Sequence, residues 1–331
     1  MINETLIIRY DASWKQKIKF IRELRKKRYD TALVSFDCRS LFAMVEILLA
    51  GIPVRIGHTV EKIRRKDHLH FVFNFPVPLE AGRHETDLKL DLVSVLINQT
   101  PMHLRGIKVD ESPIIFSEQK LPRIPLFFCI SETSRLAAGK LLAEMGLLEK
   151  KPFICVQPGA ANAMNTPKRW PLEKFAVLLD RLIKELDLPV FALGDAAECQ
   201  IIETLQEMME GELYILAGKT GVKEVAAIIE KASLILCHDS GLMHVAVAVG
   251  TPVVALYGPT DYHRTRPLGE MHTVIKKDLD CSPCMYGFKS EADALKCPHR
   301  SCMNLIEPEE VFEIIKSLFT KTQGIIYDSR S

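Results

Sequence analysis

Residues 234–260, LILCHDSGLMHVAVAVGTPVVALYGPT, constrain the fold more than any other part of the chain. The apolar run 234–238 predicts a buried strand, and the small polar residues that follow it lead into an apolar helical segment. Residues 250–252, Gly-Thr-Pro, end that segment, and residues 252–257 form a second apolar run. Two buried strands joined through a helix are typical of a parallel α/β sheet.

The turn between the first strand and the helix predicts a site for an anion. Backbone N–H groups at a helix start point outward without partners, and with the helix dipole they favour a phosphate group there. Ser240 can cap the helix, Gly241 allows a ligand to approach the backbone, and Asp239 and His244 flank them. A nucleotide diphosphate would fit this turn. A capped strand-to-helix turn without any ligand explains the same residues.

From residue 152 onward, short apolar strands alternate with helical patterns. The predicted strands are 153–157, 189–193, 213–216, 234–238 and 252–257, and the predicted helices are 171–186, 196–209 and 223–231. This alternation indicates a doubly wound α/β sheet with helices on both faces. Because ligands bind at the carboxyl ends of the strands in such sheets, the turns after the strands are expected to gather at one rim.

The first 120 residues predict a second α/β unit, with a helix over 14–28, a strand over 31–36 and a helix over 41–50. We expect an N-terminal α/β domain over 1–125 and a C-terminal ligand-binding domain over 152–319. A linker region, 126–151, holds a helix over 132–147 between prolines, and a tail, 320–331, follows a final helix over 307–319.

Composition excludes several classes of protein. The chain has 331 residues, 47% of them hydrophobic, and a net charge of +1, so nothing overall requires a nucleic acid partner. No apolar run reaches the roughly 18 residues of a membrane span, and the first residues lack the order of a signal peptide, which favours the cytoplasm. Nine cysteines, an odd number scattered along the chain, predict reduced thiols.

Several motifs together resemble one family, the heptosyltransferases of lipopolysaccharide core synthesis. These are two-domain glycosyltransferases of family 9 that use ADP-heptose. The matching motifs, in order, are Tyr29-Asp30, Gly51 to Gly57, Gln157 to Ala160, Lys168 to Pro171, Gly194 with Glu198, Asp239 to His244, and Gly250 to Thr260. Any one of them alone is weak, and the resemblance rests on the set over residues 25–319.

The resemblance implies a GT-B architecture, in which two Rossmann-like domains face each other across a cleft. The C-terminal domain would hold the ADP part of the donor, and the N-terminal domain would present a lipid-linked saccharide acceptor. Transfer would invert the sugar's configuration and require neither a metal nor any other cofactor. Glu198, carried over from the family, would contact the ribose of the donor. A carboxylate in this place also interacts favourably with the helix dipole without any ligand.

The residues themselves suggest how the departing diphosphate is neutralised. Lys168 follows the strand 153–157 and can balance the charge that grows on the phosphate, with Thr166 as an additional hydroxyl donor and Gly159 on the same rim. Asp239 is anionic, so we expect it to orient Ser240, Lys168 or a sugar hydroxyl. Surface charge beside a packed tryptophan is the alternative interpretation of the lysine motif.

One part of the chain departs from the family. Family members open with a strand and a Gly-Asp loop that carries the carboxylate regarded as general base, whereas residues 6–9 here are followed by Tyr-Asp-Ala-Ser-Trp. Asp11 is the nearby candidate for the base. The departure keeps open a nucleotide-sugar-binding protein without turnover, and the shared fold keeps open a GT-B enzyme with another nucleotide sugar. An NAD-dependent enzyme is disfavoured, because no G-x-G-x-x-G follows a first strand.

Two further patterns carry hypotheses. Cys281, Cys284, Cys297 and Cys302 make C-x2-C-x12-C-x4-C, a spacing that could hold a structural zinc ion, although reduced cysteines packed under a long connection explain it equally. Residues 1–30 hold nine Lys or Arg against four Asp or Glu. This basic excess predicts peripheral contact with the inner face of the cytoplasmic membrane, or simply a solvated amphipathic helix.

Overall fold

The computed structural model describes residues 13–35, 41–59, 72–80, 82–99, 125–147, 151–160, 167–285 and 296–328. The chain forms two compact units, unit 1 (Met1–Arg123) and unit 2 (Ile124–Ser331). Each unit contains a parallel sheet together with helices, as the alternation of apolar strands and helical patterns predicts.

Unit 1 contains a three-stranded parallel sheet in the order β1-β2-β3. Its elements are α1 (Trp14–Lys27), β1 (Thr31–Val34), α2 (Leu41–Ala50), β2 (Val54–Thr59), β3 (Phe75–Pro78) and α3 (Glu85–Gln99). Val54 and Ile56 of β2 pack with Val77 of β3 and with Leu92 and Val95 of α3. The two prolines of β3 cannot donate to a sheet ladder, and among the described strands β3 accordingly lies at an edge.

Unit 2 contains a six-stranded parallel sheet in the order β6-β5-β4-β7-β8-β9. Its first elements are α4 (Glu132–Glu144), β4 (Ile154–Val156), α5 (Leu172–Leu186), β5 (Val190–Ala192), α6 (Cys199–Met208), β6 (Leu213–Ile215) and α7 (Val222–Lys231). The remaining ones are β7 (Leu234–His238), α8 (Gly241–Val249), β8 (Val253–Tyr257), α9 (Tyr262–Thr265), β9 (Thr273–Lys276), α10 (Ser301–Asn304) and α11 (Pro308–Asp328). This strand order is the one of doubly wound dinucleotide-binding folds.

Helices cover both faces of the unit 2 sheet. On one face α5, α6 and α11 bury residues such as Phe175, Leu179 and Phe312. On the other face α4, α7 and α8 bury Ala138, Ile228 and Met243. All residues of β4, β5, β7 and β8 are buried, because each strand contacts helices on both sides.

Three element boundaries differ from the predictions. The predicted helix 196–209 is a 3-10 turn, Ala196–Glu198, followed by α6, because the Asp195 side chain accepts hydrogen bonds from the N–H groups of Ala197 and Glu198. The final helix runs to Asp328 and not to Phe319, because no proline follows and one glycine costs a helix only about 1 kcal/mol. The helix predicted for the linker region is α4, which packs against α7 within unit 2.

Candidate functional site

The candidate site lies at the carboxyl ends of β4, β5 and β7 in unit 2. The chain runs from β4 outward through β5 to β6 and then returns to β7 on the other side of β4. The strand order therefore reverses between β4 and β7, and open α/β sheets bind ligands at such a point. Gln157 follows β4, and Asp239 and Ser240 follow β7. The motifs of the sequence thus meet where the topology places a ligand.

The start of α8 has the geometry that the sequence predicts. Ser240 is the N-cap in an extended conformation, and its Oγ accepts a hydrogen bond from the Met243 N–H at 3.4 Å. By helix geometry the N–H groups of Gly241 and Leu242 have no acceptor within the helix. Gly250 ends α8 in the left-handed region with φ 81°. The prediction of a capped turn from strand to helix is confirmed.

Lys168 and Asp239 form an ion pair beside this helix start. Lys168 Nζ lies 3.1 Å from Asp239 Oδ2 and 3.4 Å from the Asp239 carbonyl oxygen. The two side chains are 12% and 9% exposed, so solvent screens the pair only in part. The expected orienting role of Asp239 therefore has a concrete partner, because its carboxylate holds the lysine ammonium at the start of α8.

A buried hydrogen-bond chain links the helix start to Glu198. Ser240 Oγ donates to Gln157 Oε1 at 2.6 Å, and Gln157 Nε2 donates to Glu198 Oε2 at 3.4 Å. The Asp195 N–H also donates to Glu198 Oε2, at 3.1 Å. Glu198 Oε1 is buried and has no hydrogen-bond partner within the described residues. Burial raises the pKa of the Glu198 carboxyl group.

Three glycines of the site differ in the space around them. A Cβ on Gly159 would lie 1.8 Å from Glu198 Oε1, and a Cβ on Gly194 would lie 2.9 Å from Glu198 Oε2. Both glycines therefore leave room for the Glu198 side chain. Among the described residues, a Cβ on Gly241 would meet no atom within 4 Å. Within that part of the chain the space in front of Gly241 is open, as the expected approach of a ligand to the backbone requires.

His238, the last residue of β7, joins the two loops of the site and was missed by the sequence analysis. Its Nε2 accepts a hydrogen bond from the Trp170 N–H at 2.9 Å, and its Nδ1 lies 3.1 Å from the Gly159 carbonyl oxygen. Together these contacts require a neutral ring with the proton on Nδ1. Burial, with a smaller contribution from the charges of Arg169 and Lys168, lowers the pKa of His238 to about 4, although the Gly159 carbonyl acts in the opposite direction. The sequence signal that could have indicated this role is a polar ring at the end of a buried apolar strand.

The other predicted site residues have different outcomes. The structure brings together Gly159, Lys168, Gly194, Glu198, Asp239, Ser240 and Gly241. His244 is half-buried one turn into α8. Asp11 and Thr166 lie outside the described residues, so their roles stay predictions.

The zinc hypothesis concerns the segment that contains four cysteines, 281–302. Cys281, Cys284, Cys297 and Cys302 are not joined in disulfide bonds. Burial, together with the neighbouring thiols, raises the pKa of Cys302 to about 11. In the part of the chain that the structure describes, no three His, Cys, Asp or Glu side chains are arranged to hold a metal ion. The structure thus gives the zinc hypothesis no support.

Across residues 13–328, outside the gaps given above, no helix has both the length and the apolar composition to cross a bilayer.

Comparison with known proteins places this chain in a family. The profile of glycosyltransferase family 9 (heptosyltransferase) matches residues 17–294. Lipopolysaccharide heptosyltransferase 2 of Escherichia coli (strain K12) is 30% identical over 333 residues, which cover 90% of this chain and 92% of that protein. Lipooligosaccharide heptosyltransferase 2 of Haemophilus influenzae is 36% identical over 141 residues, 41% of this chain. The chain spans only 40% of the length of this second relative.

The fold agrees with these sequence matches. The structure of Escherichia coli ADP-heptose LPS heptosyltransferase II superposes with a TM-score of 0.67 at 25% identity, covering 93% of this chain and 82% of that one. The predicted fold class, α/β with two Rossmann-like domains of the GT-B type, is confirmed. The predicted family is confirmed as well. The chain belongs to glycosyltransferase family 9, the heptosyltransferase family.

Proposed function

We propose that this chain is a glycosyltransferase that moves a heptose from ADP-heptose to a lipopolysaccharide inner-core saccharide or a related sugar acceptor. The family match and the relatives named above support the proposal. The single observation that carries it is the Lys168–Asp239 pair at the uncovered start of α8, one hydrogen-bond chain away from Glu198.

The diphosphate of the donor would lie against the start of α8. Breaking the bond between sugar and phosphate leaves additional negative charge on the departing nucleotide, and preorganised cations and N–H donors stabilise that charge in the transition state. Lys168 supplies the cation, and Gly241 and Leu242 supply N–H groups. Asp239 keeps the ammonium in place, so that little reorganisation is needed during the reaction.

The nucleoside of the donor would lie towards β5. A carboxylate at the end of a strand can accept hydrogen bonds from both ribose hydroxyls. Glu198 is suited to this role, because its Oε1 is buried without a partner and its other oxygen is held by Gln157 and the Asp195 N–H. A ribose hydroxyl would satisfy an acceptor that otherwise costs free energy.

The sugar would be transferred in one displacement, with inversion and without a sugar–enzyme intermediate. Because a lysine and a helix start can act as the counter-charge, the proposed reaction requires no metal ion or cofactor. The base that takes the proton of the acceptor hydroxyl is proposed to be Asp11.

The two domains would divide the substrates between them. We assign the donor to the C-terminal domain, 152–319, joined by the linker region 126–151, and the lipid-linked acceptor to the N-terminal domain, 1–125. The tail is assigned to 320–331, although α11 continues through most of it. The enzyme would work in the cytoplasm, in peripheral contact with the inner membrane through the basic helix α1.

Two measurements on the full chain test the proposal. Thermal unfolding with ADP-heptose, UDP-sugars and GDP-sugars should show protection by ADP-heptose alone. Transfer of radiolabelled heptose to a deep-rough lipopolysaccharide acceptor should occur in the same preparation. Protection without transfer would indicate a binding protein without turnover, and protection by another nucleotide sugar would indicate another GT-B enzyme.

A further inference from the structure

A second cavity lies in unit 2 beside the candidate site. Its volume is about 480 Å³, within the range of roughly 300–1,000 Å³ typical of small-molecule pockets. The segment 169–172, one side of α6 and the segment 298–304 line it. Lys168, Asp239, Ser240 and Gly241 are not among its lining residues. The cavity is therefore separate from the start of α8.

The cavity lining carries positive charge. Arg169, His299 and Arg300 contribute basic side chains, and none of the described residues that line the cavity is an aspartate or a glutamate. Gln200 and Thr204 of α6 add neutral polar groups. The carboxylate of Glu198 acts on Arg169 from outside this lining. The lining itself carries positive charge, which favours an anion.

Arg169 lacks full compensation of its charge. Its Nε is buried and has no hydrogen-bond partner in the described ranges. Burial lowers the pKa of Arg169, while Glu198 attracts its guanidinium and Arg300 repels it. An arginine does not lose its proton in a protein, so Arg169 stays a cation in the wall of the cavity, and its buried Nε–H adds to the local positive charge.

The start of α5 adds a second attraction for anions. Pro171 is its N-cap and offers no side-chain hydrogen bond to the first turn, and both Pro171 and Leu172 line the cavity. The first N–H groups of this 15-residue helix have no acceptor within the helix, and the helix dipole is positive at this end. The helix start and the two arginines thus act on the same space.

We propose that this cavity is a second anion site, which binds a small ligand carrying a phosphate group. The ligand's phosphate would accept hydrogen bonds from Arg169 and Arg300 and from the first turn of α5. Thr204 and Gln200 would bind further oxygens of the same ligand. This site goes beyond the donor site of the proposed function, since it uses none of the groups at the start of α8.

Titration of the full chain with inorganic phosphate, followed by calorimetry, tests the site. Lys168→Gln removes the cation at the start of α8 but leaves the N–H groups there, so phosphate binding that persists in this variant and is weakened by Arg300→Gln belongs to the second cavity. Arg300→Gln should weaken that binding by about tenfold, because it removes one charge-assisted hydrogen bond. Lys184→Gln is the matched control, since Lys184 is an exposed cation at the far end of α5. It should leave phosphate binding unchanged.

A second variant guards against a folding defect. Gln200→Glu keeps the size of an exposed side chain but adds a negative charge to the lining, and it should also weaken phosphate binding. Parallel titrations with AMP and with a sugar monophosphate show whether a phosphomonoester binds more tightly than the free anion. Loss of all phosphate binding in Lys168→Gln would overturn the proposal, as would unchanged binding in both cavity variants.

Discussion

The two parallel sheets of this chain are packed very differently. In unit 2 every residue of β4, β5, β7 and β8 is buried between helices on both faces. In unit 1, β1 and β3 each have one buried residue out of four, and α1 has none among its 14 residues. Burial of apolar surface stabilises a fold by roughly 25 cal/mol per Å². The sheet of unit 2 is therefore the more strongly held of the two.

This difference in packing indicates which unit can hold charge-stabilising groups in fixed positions. Groups that stabilise a growing charge must be held in place beforehand, which requires a rigid support. The fully buried strands of unit 2 give such a support to Gln157, His238 and Asp239. The described strands and helices of unit 1 bury fewer residues and give less support of this kind.

The largest expected effect is on the rate of transfer and comes from Lys168 in unit 2. Lys168→Met removes the cation beside the proposed diphosphate position, and kcat should fall by about 10²- to 10³-fold, as for loss of one preorganised group facing a developing charge. Steady-state transfer of heptose from ADP-heptose measures it, with circular dichroism as a check of folding. Lys184→Met, at an exposed lysine near the end of α5 and away from this rim, is the matched control. Activity within twofold of the unmodified chain would remove Lys168 from the mechanism.

A pH effect on stability is expected from His238. Its pKa is lowered from 6.5 to about 4 by burial. In the unfolded chain the His238 ring therefore takes up a proton near pH 6.5. In the folded chain the ring stays neutral until the pH falls to about 4. The free energy of unfolding should fall as pH decreases through this window, by up to about 3 kcal/mol from this group. Urea unfolding at pH 7 and pH 4.5 measures the change.

The control for this effect is His238→Asn, which has no titrating ring. The variant should start from a lower stability at pH 7 and lose less of it towards pH 4.5 than the unmodified chain does. Equal losses in the two proteins would show that other groups cause the acid sensitivity.

Two glycine substitutions distinguish a residue that affects the stability of the site from one that affects the binding of ADP. Gly159→Ala places a methyl group against buried Glu198, so unfolding should become easier by about 1–3 kcal/mol. Gly241→Ala meets open space and should leave stability unchanged or slightly raised, while it weakens binding of ADP. Thermal unfolding and calorimetry with ADP measure the two quantities. Equal changes in stability and in ADP affinity in the two variants would contradict these different roles of Gly159 and Gly241.

The smallest effect on stability is expected in unit 1. Arg22→Gln with Lys26→Gln removes two exposed charges of α1 and should change the free energy of unfolding by less than about 0.5 kcal/mol. Binding to vesicles with anionic lipid should nevertheless weaken by on the order of 1 kcal/mol per charge. Co-sedimentation measures it, with Lys184→Gln and Lys219→Gln as the control pair in unit 2. Unchanged sedimentation would exclude a membrane role for α1.

Much of unit 2 could be predicted because local patterns determine its elements. Residues 234–238 were predicted as β7 from an apolar run alone, and Ser240 as a cap from its position before an apolar helix. The 3-10 turn Ala196–Glu198 was missed, since the competing hydrogen bonds of Asp195 were not recognised from the sequence. The donor, its base and the domain boundaries remain predictions.

The sequence by itself determined the parallel α/β architecture and the family, because apolar periodicity and a set of ordered motifs are local properties of the chain. Only the tertiary structure decided that Lys168 pairs with Asp239, that Gln157 links Ser240 to Glu198, and that His238 joins two loops. These contacts join residues that are 41 to 83 positions apart. Their partners are chosen by strand order and burial, which no local pattern in the chain encodes.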